Sequence, residues 1–311
     1  MPNMPIPFGD DITGIRLENG KIAILKTDML IASTDVPPGM TPFQVARKAV
    51  VMNISDLASK GVEPKAVLVA LGLPAETSKD DIEEIGRGLN AGAREYGAYV
   101  IGGDTSEASD IILSVMLFGI CCEEHLVKRS GSRPGDILAV SGLFGKTSAG
   151  LKMLLEGFDA PERLKNVFLK AVYMPEARLK LGLKLARSNS VTSTIDSSDG
   201  LAVSLHELRK VSNTGFCIKD LPTAPEVDEY AKLHSLSKKE LTLFGGEEYE
   251  LVVTINPEKW AIASSIAESV EGQLIPIGYV TEDKEIVFET EGRKEPIPPG
   301  GWEHFKTGSS T

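Results

Sequence analysis

Residues 41–61 read TPFQVARKAVVMNISDLASKG. Thr41 is placed to cap a helix and Pro42 to fill its first position. Phe43, Ala46, Val50, Ile54, Leu57 and Ala58 then recur at helical spacing, and Gly61 is placed to stop the run. Strand-like stretches flank this helix, at Lys21–Lys26 (KIAILK, ending at Thr27–Asp28) and at Val67–Leu71. A second helix is predicted over Ser78–Tyr96, which opens SKDDIEE with acids at the positive end of the helix dipole. Gly97 closes it, and Ala98–Ile101 and Ile111–Cys122 read as further strands. Strands alternating with helices predict a mixed α/β (α+β) architecture.

Further along, Glu123–Gly135 carries KRSGSRPGD, a stretch rich in Arg, Ser, Gly and Pro that marks a boundary. A second α/β unit is predicted beyond it. Its strands are Asp136–Val140, Val191–Ile195 and Leu251–Ile255, with a hairpin at Ile275–Phe288. Its helices are Thr147–Glu156, Glu176–Arg187, Leu201–Val211 and Glu258–Val270. Two domains, 1–125 and 135–311, are the simplest division.

The chain has 311 residues and a formal charge of −11. That balance argues against nonspecific nucleic-acid binding, which needs clustered Lys and Arg. It admits anionic substrates if metal ions bridge the two negative partners. No apolar run approaches the roughly 18–20 residues that cross a bilayer. The opening MPNMPIPFGDD lacks the regions of a signal peptide, so no membrane partner and a cytoplasmic location are expected. Cys121, Cys122 and Cys217 have no CxxC spacing, which argues against a disulfide framework and a thiolate zinc site.

Six aspartates follow a strand, open a helix or sit against glycine: Asp11, Asp28, Asp56, Asp104, Asp196 and Asp199. Brought together, such carboxylates would hold several Mg²⁺ ions for a polyphosphate. Singly, Asp11 and Asp199 read as turn residues and Asp196 as a helix cap. Asp56 is harder to dismiss, because it falls inside the amphipathic helix beside Ile54, Leu57 and Ala58. A second signal is Ser141–Ser148 (SGLFGKTS), a strand-to-helix turn whose amides would favour phosphate. It is not a P-loop, because Val140 stands where that motif needs glycine. Gly245-Gly246 before Glu247–Leu251 suggests close backbone approach, or an ordinary turn into a strand. His125, His206, His234 and His304 are scattered, and no nucleophile constellation is readable.

In order, Gly9-Asp10-Asp11, Thr27-Asp28-Met29-Leu30, Asn53–Ala58, Gly102–Thr105, Ser141-Gly142 with Gly150-Leu151, Asp196–Leu201 (DSSDGL) and Gly245–Leu251 resemble thiamine-monophosphate kinases, within the aminoimidazole ribonucleotide synthetase-like superfamily. The likeness runs from about residue 8 to Trp302–Phe305. It implies ATP-dependent conversion of thiamine monophosphate to thiamine diphosphate. It also implies a homodimer whose N-terminal sheets join in a barrel-like interface, with an ATP- and Mg²⁺-binding N-terminal domain and a C-terminal α/β domain. Carried over residue by residue, Asp11, Thr27, Asp28, Asp56, Asp104, Asp196 and Asp199 match Mg²⁺ positions. Gly103, Asp104, Arg129 and Ser198 match nucleotide contacts, and Asp35, Glu248 and Trp302 match thiamine-phosphate contacts. Departures from the family pattern are the eight residues before Gly9, Asp35 in place of a common His, Lys146 in place of an acid, and Glu248 in place of Asp.

The expected chemistry is direct in-line transfer without a general base, since a phosphate acceptor is already ionised near neutral pH. Rivals are other ATP-using enzymes of the superfamily, or a non-catalytic protein that binds divalent ions for structure. A selenophosphate synthetase would carry a reactive Cys near its start, and a hydrogenase-maturation dehydratase a C-terminal Cys. Here the first Cys is Cys121 and the chain ends GSST.

Overall fold

The computed structural model describes residues 4–302. It begins with β1 (Thr13–Arg16), β2 (Lys21–Ile31), the short α1 (Ala32–Asp35), α2 (Pro42–Lys60), β3 (Glu63–Leu73), α3 (Lys79–Glu95), β4 (Tyr99–Glu107) and β5 (Ile112–Cys122). These strands form a five-stranded sheet in the order β1-β2-β5-β3-β4. Only β3 and β4 pair in parallel, joined over α3; the other neighbours are antiparallel.

After the 123–135 connection come β6 (Ile137–Val140), α4 (Lys146–Glu156), α5 (Glu162–Tyr173), α6 (Leu179–Arg187), β7 (Val191–Asp196), α7 (Leu201–Ser212) and β8 (Gly215–Ile218). They are followed by α8 (Pro225–His234), α9 (Lys238–Leu243), β9 (Leu251–Ile255), α10 (Trp260–Glu268), β10 (Ile275–Thr281), β11 (Ile286–Thr290) and β12 (Arg293–Pro296). A seven-stranded sheet results, in the order β12-β11-β8-β10-β6-β9-β7.

Helix α2 is the spine. Its start is a capping box: Gln44 N–H donates to Thr41 Oγ1 (3.3 Å), and Thr41 N–H donates to Gln44 Oε1 (2.9 Å). It ends at Gly61, whose left-handed φ of 70° and position against Ala186 exclude any side chain there. Its apolar residues pack on the five-stranded sheet and α3 on one side, and on α6 and β7 on the other. One hydrophobic core therefore holds Val50, Ile54 and Leu57 together with Leu117 of β5 and Leu185 of α6. A helix buried on nearly all sides has no polar face, so its charged residues Arg47, Lys48, Asp56 and Lys60 are buried too. Such groups persist only when paired.

The five-stranded sheet is covered on one face only. Strand β5 alternates strictly, with Leu113, Val115 and Leu117 turned to α2. The opposite face carries Leu25, Met29 and Leu68, all exposed. Edge strand β4 is exposed throughout, including Tyr99 and Ile101.

Several sequence expectations change. Strand β2 continues past Lys26 to Ile31, and β4 past Ile101 to Glu107. Asp28 and Asp104 are therefore strand residues rather than residues at strand ends. Within β4, Gly103 sits at a close approach of two backbones: a Cβ there would lie 1.9 Å from Val69 O, beside a bulge at Val67/Leu68. The hairpin expected at Ile275–Phe288 does not form, because β8 inserts between β10 and β11. That four-residue strand, GFCI, is buried at every position and has no alternation to betray it. The hairpin instead joins β11 to β12 through Glu291 and Gly292, both at positive φ. The predicted Glu176–Arg187 helix starts at Leu179, and α5, α8 and α9 were not anticipated.

Candidate active site

Three carboxylates from distant parts of the chain meet where α2 crosses between the sheets. Asp11 precedes β1, Asp56 lies on α2 and Asp196 ends β7. All three are buried, and one oxygen of each lies within 4.8 Å of the others. Ser55 Oγ donates to Asp196 Oδ2 at 2.7 Å, and Ser59 Oγ to Asp11 Oδ2 at 3.4 Å.

Cations surround them. Lys60 Nζ lies 2.6 Å from Asp11 Oδ2 and 3.0 Å from Asp10 Oδ1, and donates to Thr194 O at 2.7 Å. Arg129 Nε donates to Asp11 Oδ1 at 2.9 Å, and Arg129 N–H to Asp10 Oδ2 at 3.2 Å. Lys26 Nζ sits 2.9 Å from Asp28 Oδ1 and 3.0 Å from Asp56 Oδ2. Five aspartates, Asp10, Asp11, Asp28, Asp56 and Asp196, face these three cations, a formal balance of −2, and the half-buried Glu207 Oε2 lies 3.6 Å from Arg129 Nη1 on the outside of the cluster.

The ionisation behaviour follows. Burial, with Asp196 as neighbour, pushes the Asp56 carboxyl well above the usual range. Burial and Asp11 push Asp196 up to about 6. Burial also opposes ionisation of Asp11, but Lys60 and Arg129 outweigh it and hold that carboxyl below its ordinary value. A site that strains to keep two carboxylates charged fits a divalent ion. So do two buried oxygens without partners, Asn53 Oδ1 one helical turn before Asp56 and Ser197 Oγ next to Asp196.

Beside the cluster lies a cavity of about 810 Å³ lined by Asp35, Lys48, Ser198, Asp199, Glu247 and Trp302, with Met29 and Leu151 among its apolar walls. Its floor is two loops zipped together. Glu247 N–H donates to Ser198 O (2.6 Å), and Tyr249 N–H to Ser197 O (2.9 Å). This explains Gly245-Gly246: a Cβ on Gly246 would lie 2.7 Å from Ser198 O, and one on Gly245 2.4 Å from Ser148 Cβ. Trp302 is held by its own N–H on Asp199 O at 3.1 Å. Asp35 Oδ2 accepts Ile31 N–H at 2.8 Å. Lys48, fully buried, pairs with Glu247 and donates to Asp35 O at 3.0 Å, so it ties the two sides of the cavity together.

Comparison with known proteins matches this architecture. A family model described as "AIR synthase related protein, N-terminal domain" matches residues 9–121. The chain is 37% identical to a thiamine-monophosphate kinase of Nitrosopumilus maritimus, over 96% of this chain and 93% of that one. It is 35% identical to one from Pyrococcus horikoshii, over 97% and 92%. The chain belongs to the thiamine-monophosphate kinase family. A solved structure of "AaThiL complexed with AMPPCP and TMP" superposes with a TM-score of 0.85 at 29% identity, covering 96% of this chain and 92% of that one. A hydrogenase maturation protein superposes at a TM-score of 0.75 but 18% identity, so it shares the fold alone.

Not every position carried over from thiamine-monophosphate kinases converges in one chain. Asp11, Asp28, Asp56, Asp196 and Arg129 do, directly or through Lys26. Asp35, Ser198, Asp199 and Trp302 line the cavity. The pleat turns the Thr27 side chain to the sheet face opposite Lys26 and Asp28. Gly103 and Asp104 lie on exposed β4. Asp104 registers with Ala70, Ser114 and Met29 in turn, three strand spacings or about 14 Å from β2. Glu248 lies away from the cavity lining. Its Oε1 accepts Gly145 N–H at 2.6 Å and Thr147 N–H at 3.2 Å, filling the start of α4. Those are the amides that the sequence offered to phosphate. Burial pushes the Glu248 carboxyl up to about 8 despite these bonds. Five charged residues of the site were not among the sequence candidates: Asp10, Lys26, Lys48, Lys60 and Glu247. On α2, Lys48 and Lys60 are buried along with the apolar residues, which the sequence of the helix alone does not signal.

Proposed function

We propose that the protein transfers the γ-phosphoryl group of ATP to thiamine monophosphate, giving thiamine diphosphate and ADP, with Mg²⁺ held by Asp11, Asp28, Asp56 and Asp196 and further ions by Asp104, Asp199 and Thr27. The observation that carries this reading is the buried Asp11–Asp56–Asp196 triad beside a cavity that is itself acidic. A polyphosphate has no reason to approach such a surface alone. Two like unit charges about 4 Å apart repel by roughly 4 kcal/mol at an effective dielectric of 20. Asp11, Asp56 and Asp196 would hold Mg²⁺, which would supply the positive charge that offsets this repulsion.

The chain's own residues then position and shield. Arg129, Gly103, Asp104 and Ser198 are assigned to the nucleotide. Asp35 and Trp302 are assigned to the cationic thiazolium, which suits a carboxylate and an aromatic face. Lys48 keeps Asp35 and Glu247 at a fixed separation. No base is needed, and the described histidines are engaged elsewhere: His125 Nε2 lies 3.6 Å from Glu124 Oε1, His206 Nε2 meets Ile297 O, and His234 Nε2 meets Asp159 O. A coupled assay supplied with Mg·ATP is expected to release ADP with thiamine monophosphate and not with thiamine. ADP release that ignores the acceptor would refute the reading.

We assign residues 1–125 to an ATP- and Mg²⁺-binding, dimerising domain and 135–311 to a C-terminal α/β domain. The uncovered sheet face and exposed β4 support a homodimer, and a second copy would also give Asp104 and Gly103 a site to reach. Ile101→Glu is expected to convert a particle of twice 33.4 kDa into a monomer of 33.4 kDa by light scattering. Dimers that persist at micromolar concentration would point to another interface. Among the described residues, no helix is long and apolar enough to cross a membrane.

A pH dependence follows from Asp196. Its carboxyl holds a proton up to about 6 in the fold, against about 3.9 when unfolded. Folding therefore takes up protons between those values, and metal-free stability falls as pH rises through that window. Mg²⁺ can add stability only once the proton has left. Saturating Mg²⁺ is thus expected to raise the Tm more at pH 7.5 than at pH 5. Equal increments at both would contradict the assignment.

A further inference from the structure

Lys26 is out of place by the usual rules of a strand. It belongs to the row of β2 that turns toward α2, between Ile24 and Leu30, both fully buried. An ammonium in such a row is costly unless its surroundings are ionic. They are: Nζ lies 2.9 Å from Asp28 Oδ1 and 3.0 Å from Asp56 Oδ2. Asp28 is on the same strand and Asp56 on α2, so the lysine bridges two elements. One of its partners is a member of the buried triad.

We propose that Lys26 is a built-in cation that fills one position of the acidic cluster, between Asp28 and Asp56, so that the protein holds one divalent ion fewer than these carboxylates would otherwise take. The inference rests on reading the cluster as a divalent-ion site. Charge supports it. With Lys26, Lys60 and Arg129 in place and all five carboxylates ionised, the cluster has a formal charge of −2, which one divalent ion neutralises. Without Lys26, two carboxylates lose their shared counter-charge and the balance becomes −3. Geometry supports it too. Mg²⁺ binds carboxylate oxygens at about 2.0–2.1 Å, so no ion can share the space that Nζ occupies between the same two oxygens. Two buried oxygens without partners, Asn53 Oδ1 one helical turn before Asp56 and Ser197 Oγ next to Asp196, lie on the segments that carry the triad. Lys26 is on this account a positioning residue. It fixes Asp28 against Asp56 whether or not metal is present.

The test counts ions. Mn²⁺ bound per chain is measured by the loss of its free-ion paramagnetic resonance signal, on the whole protein with a non-hydrolysable ATP analogue. Wild type is compared with Lys26→Met and with Lys26→Thr, which keeps an oxygen and suits a strand. Each folded variant is expected to bind one more Mn²⁺ per chain than wild type, and its Tm to rise further on Mg²⁺ addition. If one substitution fails to fold, the other is read. A variant that binds the same number or fewer overturns the proposal while leaving the metal site standing. A wild-type protein that binds no Mn²⁺ removes the metal site itself, a separate failure.

Discussion

Asp56→Asn is expected to lower kcat by about 10²–10³-fold, the scale of losing one preorganised electrostatic group at a reacting centre. The substitution keeps shape and removes a unit of charge from the middle of the cluster. Asp56 belongs to the triad and, through Lys26, is linked to Asp28 as well. Losing it should therefore weaken the site for metal as well as for transfer, and the Mg²⁺ concentration for half-maximal activity should rise. The fold should survive. Burial already disfavours the charged Asp56 carboxyl, so a neutral amide relieves a strained group even as Lys26 keeps Asp28. Steady-state kinetics with a metal-free melting curve would separate the two effects. A kcat close to wild type at saturating Mg²⁺ would remove Asp56 from the chemistry.

The second large effect is on stability. Lys60→Met is expected to cost about 3–5 kcal/mol, because it strips the counter-ion from buried carboxylates and leaves their charge uncompensated. Lys60 is fully buried, bonded to Asp10, Asp11 and Thr194 O. In a chain of this size that loss corresponds to roughly 5–8 °C in Tm. Divalent ion should restore part of it, since added positive charge serves the same carboxylates. A Tm within a degree of wild type without metal would show that Asp10 and Asp11 can rely on Arg129 alone.

What could be read from the sequence depended on periodicity. Helix α2 was legible through its cap, its Pro42, its apolar spacing and Gly61, and Asp56 stood out because an acid in that pattern needs a reason. Lys48 and Lys60 are on the same helix but looked like ordinary surface lysines, since a single sequence does not say how many sides of a helix are covered. Their burial depends on α6 and β7, more than a hundred residues away. Asp28 and Asp104 were read as strand-end residues because glycine and threonine mimic turns. Register decides that matter, and register is a property of paired strands. The same limit hid β8, whose four buried residues carry no alternation and whose insertion between β10 and β11 replaced a local hairpin with distant neighbours. The glycines before Glu247 admitted either close approach or an ordinary turn; the structure shows close approach, to a partner loop at Ser197–Asp199 nearly fifty residues off.

The spine position of α2 has a bearing on how this protein melts and how it can be dissected. A piece ending near residue 125 would carry α2 with the stripe that meets Leu185 and β7 laid bare to water. The remainder would lose the lid over Leu251 and Val253. Neither fragment is a self-sufficient folding unit, so unfolding of the intact chain should be a single cooperative event. Limited proteolysis in the 123–135 connection should accordingly yield a nicked complex that stays together, with its phosphate chemistry intact until both halves come apart at once.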